Sequence, residues 1–324
     1  MSSKNPSSSS PRRTSFPVGV NDEGRRADTV LFRLLPHQSA SRLQKALREG
    51  DIRLNGKKIT PATRLAQGMT LEVWTPLLEA APEPAPSLSL PPDFSSWIVA
   101  FSHDLLVLNK PSGVLVHASD RRDGAVPHPT LDTWVKTWLQ GKTEPGLSFY
   151  PGPLHRLDRL TSGLIVFSVS LNGARTFSAW LAEGLVQKTY LALMEGVFSG
   201  TLERQDPLKR DDRTRTSFAG GEKQAKTRFQ ALGNKNGETL ALVNLEGGRT
   251  HQIRAHAALA GHPLVGDTKY LSKTRSPGAV SWWLHAWKLV LPDASLGEES
   301  YTAAPPAFWS ARPWVRELVQ SRDF

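Results

Sequence analysis

The stretch of the chain best suited to chemistry is residues 153–163, PLHRLDRLTSG. It runs directly into the apolar segment 164–167, and a short continuous apolar run is typical of a buried strand. Asp158 lies between Arg156 and Arg159, so a carboxylate and two guanidinium groups meet at the end of a core strand. A carboxylate in such a place must be paired or hydrogen-bonded, or its pKa must shift. Asp158 is therefore the first candidate catalytic residue; a structural Asp–Arg pair that braces a turn is the alternative.

A second polar stretch, residues 247–261, has the sequence GGRTHQIRAHAALAG. Thr250 is predicted to cap the start of a helix, and Gly261 is predicted to follow its end. Arg254 lies one turn inside this helix, where its guanidinium can bind a nearby carboxylate in bidentate fashion. We therefore predict that Arg254 meets a carboxylate from another part of the chain.

A metal site is not expected among these residues. His251 and His256 are five positions apart, so they do not share a helical face, and no acidic residue lies between them. The chain has no cysteine, which excludes disulfides, thiol catalysis and Cys-ligated zinc. No apolar stretch reaches the length that spans a bilayer, and the Ser- and Pro-rich N-terminus lacks the apolar core of a secretory signal. A cytoplasmic location is the expectation.

The charge balance favours a polyanionic partner. Lys and Arg number 40 against 30 Asp and Glu, which gives a net charge of +10 in 324 residues. Basic side chains bind phosphates with release of counterions, so such a surplus suits nucleic acid. The alternative is a basic protein without such a partner. Composition is otherwise that of an ordinary globular protein, and the length suggests two domains.

Composition and pattern divide the chain into four parts. Residues 1–27 are predicted to be a disordered arm, 28–74 a compact basic unit, 75–93 a proline-rich linker, and 94–324 a catalytic domain of α+β class. From residue 94 onward, apolar strands alternate with helices such as 131–139. Residues 201–225 are rich in Arg, Lys, Asp and Gly and are predicted to form an exposed insertion.

The compact unit combines a basic helix with a basic hairpin. Ser41 is predicted to cap the helix and Gly50 to end it. Asn55 and Gly56 then form the favoured type I′ turn between two short strands. This unit resembles the S4 RNA-binding domain, and the segment EGDIRLNGKKI is its most recognisable part. The resemblance implies that its helix and hairpin face RNA, and contacts to the phosphates would carry little sequence information.

The remaining motifs resemble the RluA-type pseudouridine synthases. They are HRLDRLTSG at 155–163, KTYLALMEG at 188–196, and residues 248–270, which end in GDTKY; NKPSGVLVH at 109–117 and LHAW at 284–287 add to the match. With the S4-like unit, the chain is most similar to the branch that modifies large-subunit ribosomal RNA. The resemblance implies a mixed, mainly antiparallel sheet with flanking helices and a central cleft.

The same resemblance implies roles for individual residues. Asp158 would be the nucleophile, or would stabilise positive charge at the sugar, and Arg254 would keep it ionised and oriented. Tyr190, on one strand face with Lys188, would stack on the uracil and act as a general base. RNA contacts are predicted for His155, Arg156, Arg159, Lys110, Lys188, Arg249 and His251 in the catalytic domain, and for Arg42, Lys45, Arg48, Arg53, Lys57 and Lys58 in the S4-like unit.

The predicted activity is isomerisation of specific uridines, most simply in 23S ribosomal RNA, by a monomer without cofactor or membrane partner. Such an isomerisation needs no energy source or redox partner, which fits the absence of a phosphate loop or dinucleotide fingerprint. The alternatives are a transfer RNA substrate and a non-catalytic RNA-binding or ribosome-assembly protein. A hydrolase with paired carboxylates would need a second acidic motif, and Asp267 lies in a turn and is interpreted as structural.

Overall fold

The computed structural model describes residues 12–79, 89–117, 129–144, 146–211, 216–222, 224–270, 282–294 and 297–321. Within these ranges no helix is long and apolar enough to cross a membrane. The strands are β1 Arg13–Pro17, β2 Ile52–Leu54, β3 Lys57–Lys58, β4 Thr70–Trp74, β5 Ile98–Phe101, β6 Leu105–Lys110, β7 Gly152–Pro153, β8 Ser162–Ser168, β9 Gln187–Glu195, β10 Thr201–Arg204, β11 Leu208–Asp211, β12 Thr216–Ala219, β13 Lys226–Lys235, β14 Glu238–Glu246, β15 Leu284–Val290 and β16 Ser300–Thr302. The helices are α1 Ala27–Leu34, α2 Ala40–Glu49, α3 Leu131–Leu139, α4 Leu171–Ala182, α5 Gln252–Leu259 and α6 Pro313–Gln320.

One large sheet organises the catalytic part of the chain. Its strands follow the order β10-β13-β14-β9-β15-β8-β6-β5, with β7 paired to β8 and β16 paired to β15. Neighbours are antiparallel except β8 and β15, which run parallel. The predicted mixed, mainly antiparallel sheet with flanking helices is therefore confirmed.

Strands β6 and β8 each contain an unbroken apolar run, 105–108 and 164–167, because both faces of the sheet are covered there. Leu106, Leu108, Ile165 and Phe167 pack in the core cluster on one face, together with α3. Their sequence neighbours pack on the other face with Phe177 of α4. Successive side chains of a strand point to opposite faces, so an unbroken apolar run is what a strand between two covered faces requires.

The N-terminal unit is a second sheet, of order β1-β4-β2-β3, that packs against α1 and α2. Strand β1 pairs with β4 along its whole length, with Arg13 opposite Trp74 and Pro17 opposite Thr70. The predicted disordered arm over residues 1–27 is therefore wrong for residues 13–27, while residues 1–11 lie outside the described part. The pairing covers the free edge of β4, which composition alone does not reveal.

The basic helix and hairpin form near the predicted positions. Helix α2 is capped by Ser39, whose Oγ accepts a hydrogen bond from the Arg42 N–H at 3.3 Å, rather than by Ser41. Gly50 ends the helix in the left-handed conformation, as predicted. Asn55 and Gly56 both have positive φ, 48° and 75°, so the predicted type I′ turn is confirmed.

Residues 201–225 are more ordered than an exposed insertion. They contain β10, at the edge of the large sheet, and the β11–β12 hairpin. Leu208 and Ser217 are buried, and Leu208 packs against Ala255 of α5 and Tyr270. The charged composition reflects the outward faces of these strands; residues 212–215 and 223 lie outside the described part. The hairpin thus supports the helix that carries Arg254.

Gly163 sets the approach of β8 to β15. Its φ is +107°, and a Cβ atom at this position would lie 2.2 Å from the Ala286 carbonyl oxygen. An L-residue is strained at this φ, and backbone atoms of β15 cannot move aside as a flexible side chain can. Only glycine allows the strand that follows Asp158 to pack this closely against its parallel neighbour.

Replacing Gly163 with Ala should destabilise the fold by about 3 kcal/mol or more, because backbone strain and overpacking act together. The measurement is the free energy of unfolding from urea titration. Gly152→Ala is the matched control, since a Cβ at Gly152 meets no atom within 4 Å and its φ is not in the left-handed region. A Gly163→Ala protein as stable as the Gly152→Ala protein would contradict this account of the β8–β15 contact.

Candidate active site

The three stretches that carry the candidate catalytic residues meet in one cleft of about 620 Å³. The cleft is lined by the loop between β7 and β8, by β9, and by the segment that joins β14 to α5. Asp158, Tyr190 and Arg254 all contribute to its wall. A smaller cavity of about 190 Å³ lies on the other side of the same loop and shares Asp158 and Arg254. The predicted convergence of these residues is therefore present in the structure.

The Asp158 loop is fixed by the segment that follows β6. The ammonium group of Lys110 donates hydrogen bonds to the carbonyl oxygens of Pro111, Val114 and Arg159 at 2.9–3.0 Å. Ser112 Oγ donates to the Leu160 carbonyl at 2.7 Å. Burial lowers the pKa of Lys110 to about 7, opposed by the charge of Asp158. Lys110 is fully buried, so the predicted RNA contact at Lys110 is wrong, and this residue supports the loop instead.

Arg254 connects two carboxylates at the base of the cleft. Its Nε and Nη2 donate to Asp267 at 2.6 and 2.9 Å, and Nη1 donates to Asp158 at 3.0 Å. The guanidinium also lies 3.6 Å from the ring centroid of Trp282 and 5.0 Å from that of Tyr270. The predicted contact with Asp158 is confirmed, but the bidentate partner is Asp267, which is completely buried. Burial disfavours the charge on Arg254, yet the two carboxylates outweigh it and raise its pKa.

His251 contributes to the surroundings of Asp158. Tyr270 Oη accepts a hydrogen bond from the Ser217 N–H at 2.6 Å, so its own proton is directed to His251 Nδ1 at 3.1 Å. The imidazole then carries its proton on Nε2, which faces Asp158 Oδ1 at 3.8 Å. Burial lowers the pKa of His251 to about 4, with Asp158 acting in the opposite sense. His251 lies on the wall of the cleft as a neutral ring, and its predicted RNA contact stays a prediction.

The start of α5 is organised by Gln252. Its Oε1 accepts from the Arg249 N–H at 3.0 Å, and its Nε2 donates to the carbonyls of Lys226 and Glu246 at 2.9 and 3.2 Å. Helix α5 begins at Gln252 with His251 at the N-cap position, in the left-handed conformation, so the predicted cap at Thr250 is wrong. Sequence reasoning did not identify Gln252, because nothing in its surroundings predicts that one amide binds three separate strands and loops.

Tyr190 and Lys188 lie on β9 and both face the cleft, as the strand pattern predicted. The Tyr190 side chain is buried, and burial, with a further effect of the Asp158 charge, raises the pKa of its phenol. Burial lowers the pKa of the half-buried Lys188. The phenol of Tyr190 is therefore neutral at neutral pH. Its ring lies on the wall of the cleft, near enough to Asp158 for the carboxylate charge to contribute to the raised pKa.

The predicted RNA contacts around the cleft divide into two groups. Arg156 and Arg249 are exposed on its rim, where they can meet a polyanion. Arg159 is also exposed, although its Nε donates to the Gly113 carbonyl at 3.0 Å. His155 Nε2 instead accepts a hydrogen bond from the Val166 N–H at 3.1 Å. Burial lowers the pKa of His155 to about 3, with a smaller effect of Lys188, so this ring is neutral and carries its proton on Nδ1. His155 also lines the cleft, and its predicted RNA contact stays a prediction.

The basic face of the N-terminal unit is exposed except at one residue. Arg53 is half-buried, and its guanidinium donates to the carbonyls of Gly50 and Gly56 at 3.1 and 3.2 Å, so it braces the hairpin. Arg53 was predicted to lie on the RNA-contact surface, and the structure gives it a structural role in the hairpin instead. The exposed members of this face are Arg42, Lys45, Arg48, Lys57 and Lys58.

Within the described ranges, no three His, Asp or Glu side chains are grouped so that they could hold a metal ion. His256 is fully buried, with Nδ1 2.8 Å from Thr227 Oγ1 and Nε2 3.2 Å from the Asp206 carbonyl oxygen. Both nitrogens are thus engaged in hydrogen bonds. This agrees with the predicted hydrogen-bonding role of the histidines in this stretch.

Three neutral histidines of the catalytic domain should make the fold sensitive to mild acid. Burial lowers the pKa of His155 to about 3, and of His251 and His285 to about 4. In the unfolded chain each has a pKa near ~6.5, so the unfolded state binds protons first as the pH falls. Each histidine should then cost about 1 kcal/mol of stability between pH 7 and pH 5.5, with little effect above pH 7.

Urea unfolding at pH 7.5, 6.5 and 5.5 measures this loss. His285→Gln removes one of the three groups and should reduce the pH dependence by roughly a third. His103→Gln is the control, since the His103 side chain is 88% exposed. A stability that does not change over this range would contradict the neutral assignment of the three rings.

Three residues to which the sequence patterns assigned no functional role complete the site: Asp267, Tyr270 and Trp282. Asp267 was interpreted as a structural turn residue, and it does lie in a turn, but its carboxylate holds Arg254. Trp282 Nε1 donates to Thr161 Oγ1 at 3.1 Å while its ring covers Arg254. The available signal was the GDTKY motif, which places an acidic residue and an aromatic residue three positions apart.

Comparisons with known proteins agree with this geometry. A family model described as RNA pseudouridylate synthase matches residues 104–259, and an S4 domain model matches residues 25–71. The chain is 32% identical to ribosomal large subunit pseudouridine synthase D of Neisseria meningitidis, covering 90% of this chain and 79% of that protein. It is 31% identical to the protein of the same name from Pseudomonas aeruginosa, covering 92% and 89%.

The fold has a counterpart among solved structures. Human RNA pseudouridylate synthase domain containing 1 superposes with a TM-score of 0.53 at 24% identity, over 74% of this chain and 97% of that one. The relatives above exceed 30% identity over most of both chains, and the matched regions contain the cleft and the basic N-terminal unit. The chain therefore belongs to the RNA pseudouridylate synthase family and carries an S4 domain on the N-terminal side of its catalytic domain.

Proposed function

We propose that this protein converts specific uridines of large-subunit ribosomal RNA to pseudouridine, with Asp158 as the nucleophile. The observation that carries the assignment is the carboxylate of Asp158, held at 3.0 Å by the buried Arg254 in a cleft that also contains Tyr190. Relatives at 31–32% identity are named ribosomal large subunit pseudouridine synthases, which supports the substrate class. A ribosomal RNA substrate would place the enzyme in the cytoplasm.

The proposed reaction balances within one nucleotide. The bond between N1 of uracil and C1′ of ribose breaks, and a bond between C5 and C1′ forms. C5 loses its hydrogen, and N1 gains one. A carboxylate that adds to the sugar or to the base splits this change into two easier steps, and no oxidant, reductant or energy source is consumed. The side chains of the cleft are therefore chemically sufficient for the reaction.

Each side chain of the cleft then has a distinct role. Arg254 fixes the rotamer of Asp158 through the Nη1 hydrogen bond and places a positive charge beside the carboxylate. His251 Nε2 faces Asp158 Oδ1 at 3.8 Å, which is too far for a direct hydrogen bond, so the ring shields this oxygen without binding it. Tyr190 provides a flat surface for the uracil. Because its phenol is neutral at neutral pH, it can accept the C5 hydrogen only in its minor phenolate form.

RNA would approach across the exposed cations. The target uridine must leave its RNA helix to enter the cleft, and unstacking the base costs about a few kcal/mol. Arg156 and Arg249 on the rim can bind the phosphates that flank the extruded nucleotide and offset part of that cost. The basic face of the S4 domain supplies further contacts with little sequence information. One chain carries both surfaces and the full set of reactive groups, so we propose that it acts as a monomer.

Replacing Tyr190 with Phe should reduce turnover by about 10²- to 10⁴-fold, the usual contribution of a general base, while RNA affinity stays within a few-fold. Phe preserves the stacking surface and removes only the oxygen. The measurement is single-turnover tritium release with saturating enzyme, together with RNA binding by filter retention. Full activity of Tyr190→Phe would restrict Tyr190 to stacking and remove its role as a base.

The test of the function is tritium release from uridine labelled at C5, with large-subunit ribosomal RNA and transfer RNA transcripts as separate substrates. We expect release from ribosomal RNA alone, and none from the Asp158→Asn protein. Release from transfer RNA alone would retain the chemistry and reject the substrate class. Tight binding of both RNAs without release from either would instead indicate a non-catalytic RNA-binding protein.

A further inference from the structure

A short segment of the N-terminal unit, residues 19–23, is inserted against the catalytic domain; we call it the docking segment. It forms a single 3-10 turn, Val20–Asp22, between β1 and α1. Asp22 is completely buried, and its carboxylate accepts hydrogen bonds from the backbone N–H groups of Leu147 and Ser148 at 2.6 and 3.0 Å. Ser148 Oγ donates a third bond at 2.7 Å. All three donors belong to the loop that leads into β7.

Asn21 joins the same two domains through both ends of its amide. Its Nδ2 donates to the Glu144 carbonyl at 2.8 Å, and its Oδ1 accepts from the Leu171 N–H at the start of α4, also at 2.8 Å. Arg175 of α4 donates to the Glu23 carbonyl at 3.3 Å. The docking segment therefore contacts two separate elements of the catalytic domain, one of which is the helix that packs behind the β8 strand.

These contacts are costly to separate. A buried carboxylate is tolerated only when its oxygens are matched by donors, and here the donors come entirely from the other domain. Asn21 is also almost completely buried, so separation would leave its amide and the N–H of Leu171 without their partners. Leu147 packs into the apolar core of the N-terminal unit, which adds an apolar contact to the polar ones. The proline-rich composition of residues 75–93 predicts a tether, but the docking segment adds a fixed attachment at the opposite end of the unit.

We propose that Asn21 and Asp22 hold the S4 domain at a fixed position relative to the cleft. The preferred substrate is then a folded RNA large enough to contact the S4 domain and the cleft at the same time. A freely tethered S4 domain would raise only the local concentration of RNA, with little demand on its shape. A docked S4 domain selects RNA whose phosphates lie at the right distance from the target uridine. The entropy of fixing the two domains relative to each other has already been lost before the RNA binds. The inference rests on the proposed function and specifies the class of RNA that the site accepts.

The absence of cysteine makes the docked state directly measurable. Cysteines introduced at the exposed positions Thr60 and Glu183 allow a donor and an acceptor dye to be placed on the two domains. We expect one narrow distance distribution in the otherwise native protein, and a broad one after Asn21→Ala and Asp22→Ala are combined. Asp28→Asn, which removes a carboxylate of the same unit from an exposed ion pair with Arg26, is the control and should leave the distribution narrow.

The consequence for substrate choice is measured with the same variants. The probes are a full-length large-subunit ribosomal RNA transcript and a short hairpin cut around the uridine that the tritium assay identifies. The combined variant should raise KM at least tenfold for the long transcript, with kcat unchanged, and should process the hairpin like the native protein. Activity on the hairpin also shows that the catalytic domain of the variant is folded.

Two results would overturn the proposal: a broad distance distribution in the native protein, or an unchanged KM for the long transcript in the combined variant. An equal loss on both RNAs would reject a role in substrate choice as well. A narrow distribution with no tritium release from any RNA would retain the docked arrangement and reject the proposed function, so the two failures can be told apart.

Discussion

Replacing Asp158 with Asn should lower the rate of pseudouridine formation by at least about 10³-fold, the scale on which enzymes lose activity when a nucleophile is removed. The amide has nearly the same shape as the carboxylate, and its oxygen can still accept from Arg254. The amide lacks the negative charge, so its oxygen is a far weaker nucleophile than a carboxylate oxygen. We therefore expect a folded protein that binds RNA within a few-fold of the native affinity and does not turn it over.

The measurement is single-turnover tritium release, with thermal unfolding and RNA binding recorded for the same preparation. Glu203→Gln removes one negative charge from the surface, at a residue paired only loosely with Arg228 at 3.6 Å, and should keep full activity. A general effect of net charge on RNA binding would alter both variants alike. If the Asp158→Asn protein turned over at a tenth of the native rate or faster, Asp158 could not be the nucleophile.

Replacing Arg254 with Met should destabilise the fold by about 3–5 kcal/mol, because it leaves the buried Asp267 without its cation. Asp158 loses its partner in the same step. Adding Asp267→Asn to this variant removes the unpaired charge and should restore part of the stability without restoring activity. Arg254→Lys keeps the charge but not the planar fork, so it should fold better than Arg254→Met and still lose at least about 10² in rate.

The control is Arg312→Met, since Arg312 forms a similar bidentate pair with Glu238, at 2.8 and 2.9 Å, away from the cleft. That pair is more exposed than the Arg254 pair, so its loss should cost less stability and leave the rate unchanged. Denaturant titration and tritium release measure the two effects separately. Equal stability losses at Arg254 and Arg312 would contradict the view that the uncompensated charge of Asp267 dominates.

The convergence of Asp158, Tyr190 and Arg254 was predictable because each residue lies in a motif with a strong local signal. The loop ends at a glycine before an apolar run, Tyr190 lies two positions after Lys188 and so shares its strand face, and Arg254 lies in the first turn of an alanine-rich helix. Such patterns define secondary structure and the direction of side chains. The family resemblance supplied their roles, which local patterns do not contain.

Two of the predicted RNA contacts are corrected for a common reason. Lys110 and Arg53 were predicted to bind RNA because they are basic and lie in the right motifs. In the structure their donors bind backbone groups: Lys110 binds three carbonyls, and Arg53 binds two. A sequence shows which groups can form hydrogen bonds, but long-range packing decides whether backbone or ligand takes them.

The N-terminal segment shows a similar limit. Residues 13–23 follow a Ser- and Pro-rich stretch, and their composition predicts disorder. They nevertheless form a strand on the edge of β4 and then the docking segment, because partners far along the chain satisfy their backbone and side chains. Composition predicts whether a segment can bury enough apolar surface by itself. This segment is instead ordered by its contacts with residues far along the chain.

The order of strands in the large sheet has a consequence for synthesis of the protein. Strand β15 lies between β8 and β9, at the centre of the sheet, although β10 to β14 separate it from β9 along the chain. Strand β8, which follows the Asp158 loop, and β9, which carries Tyr190, are therefore not joined until β15 has been translated. Until then β9 exposes the edge that β15 later covers, and the nascent chain needs protection from aggregation there. The sheet beneath the cleft is complete only after β15 has been added.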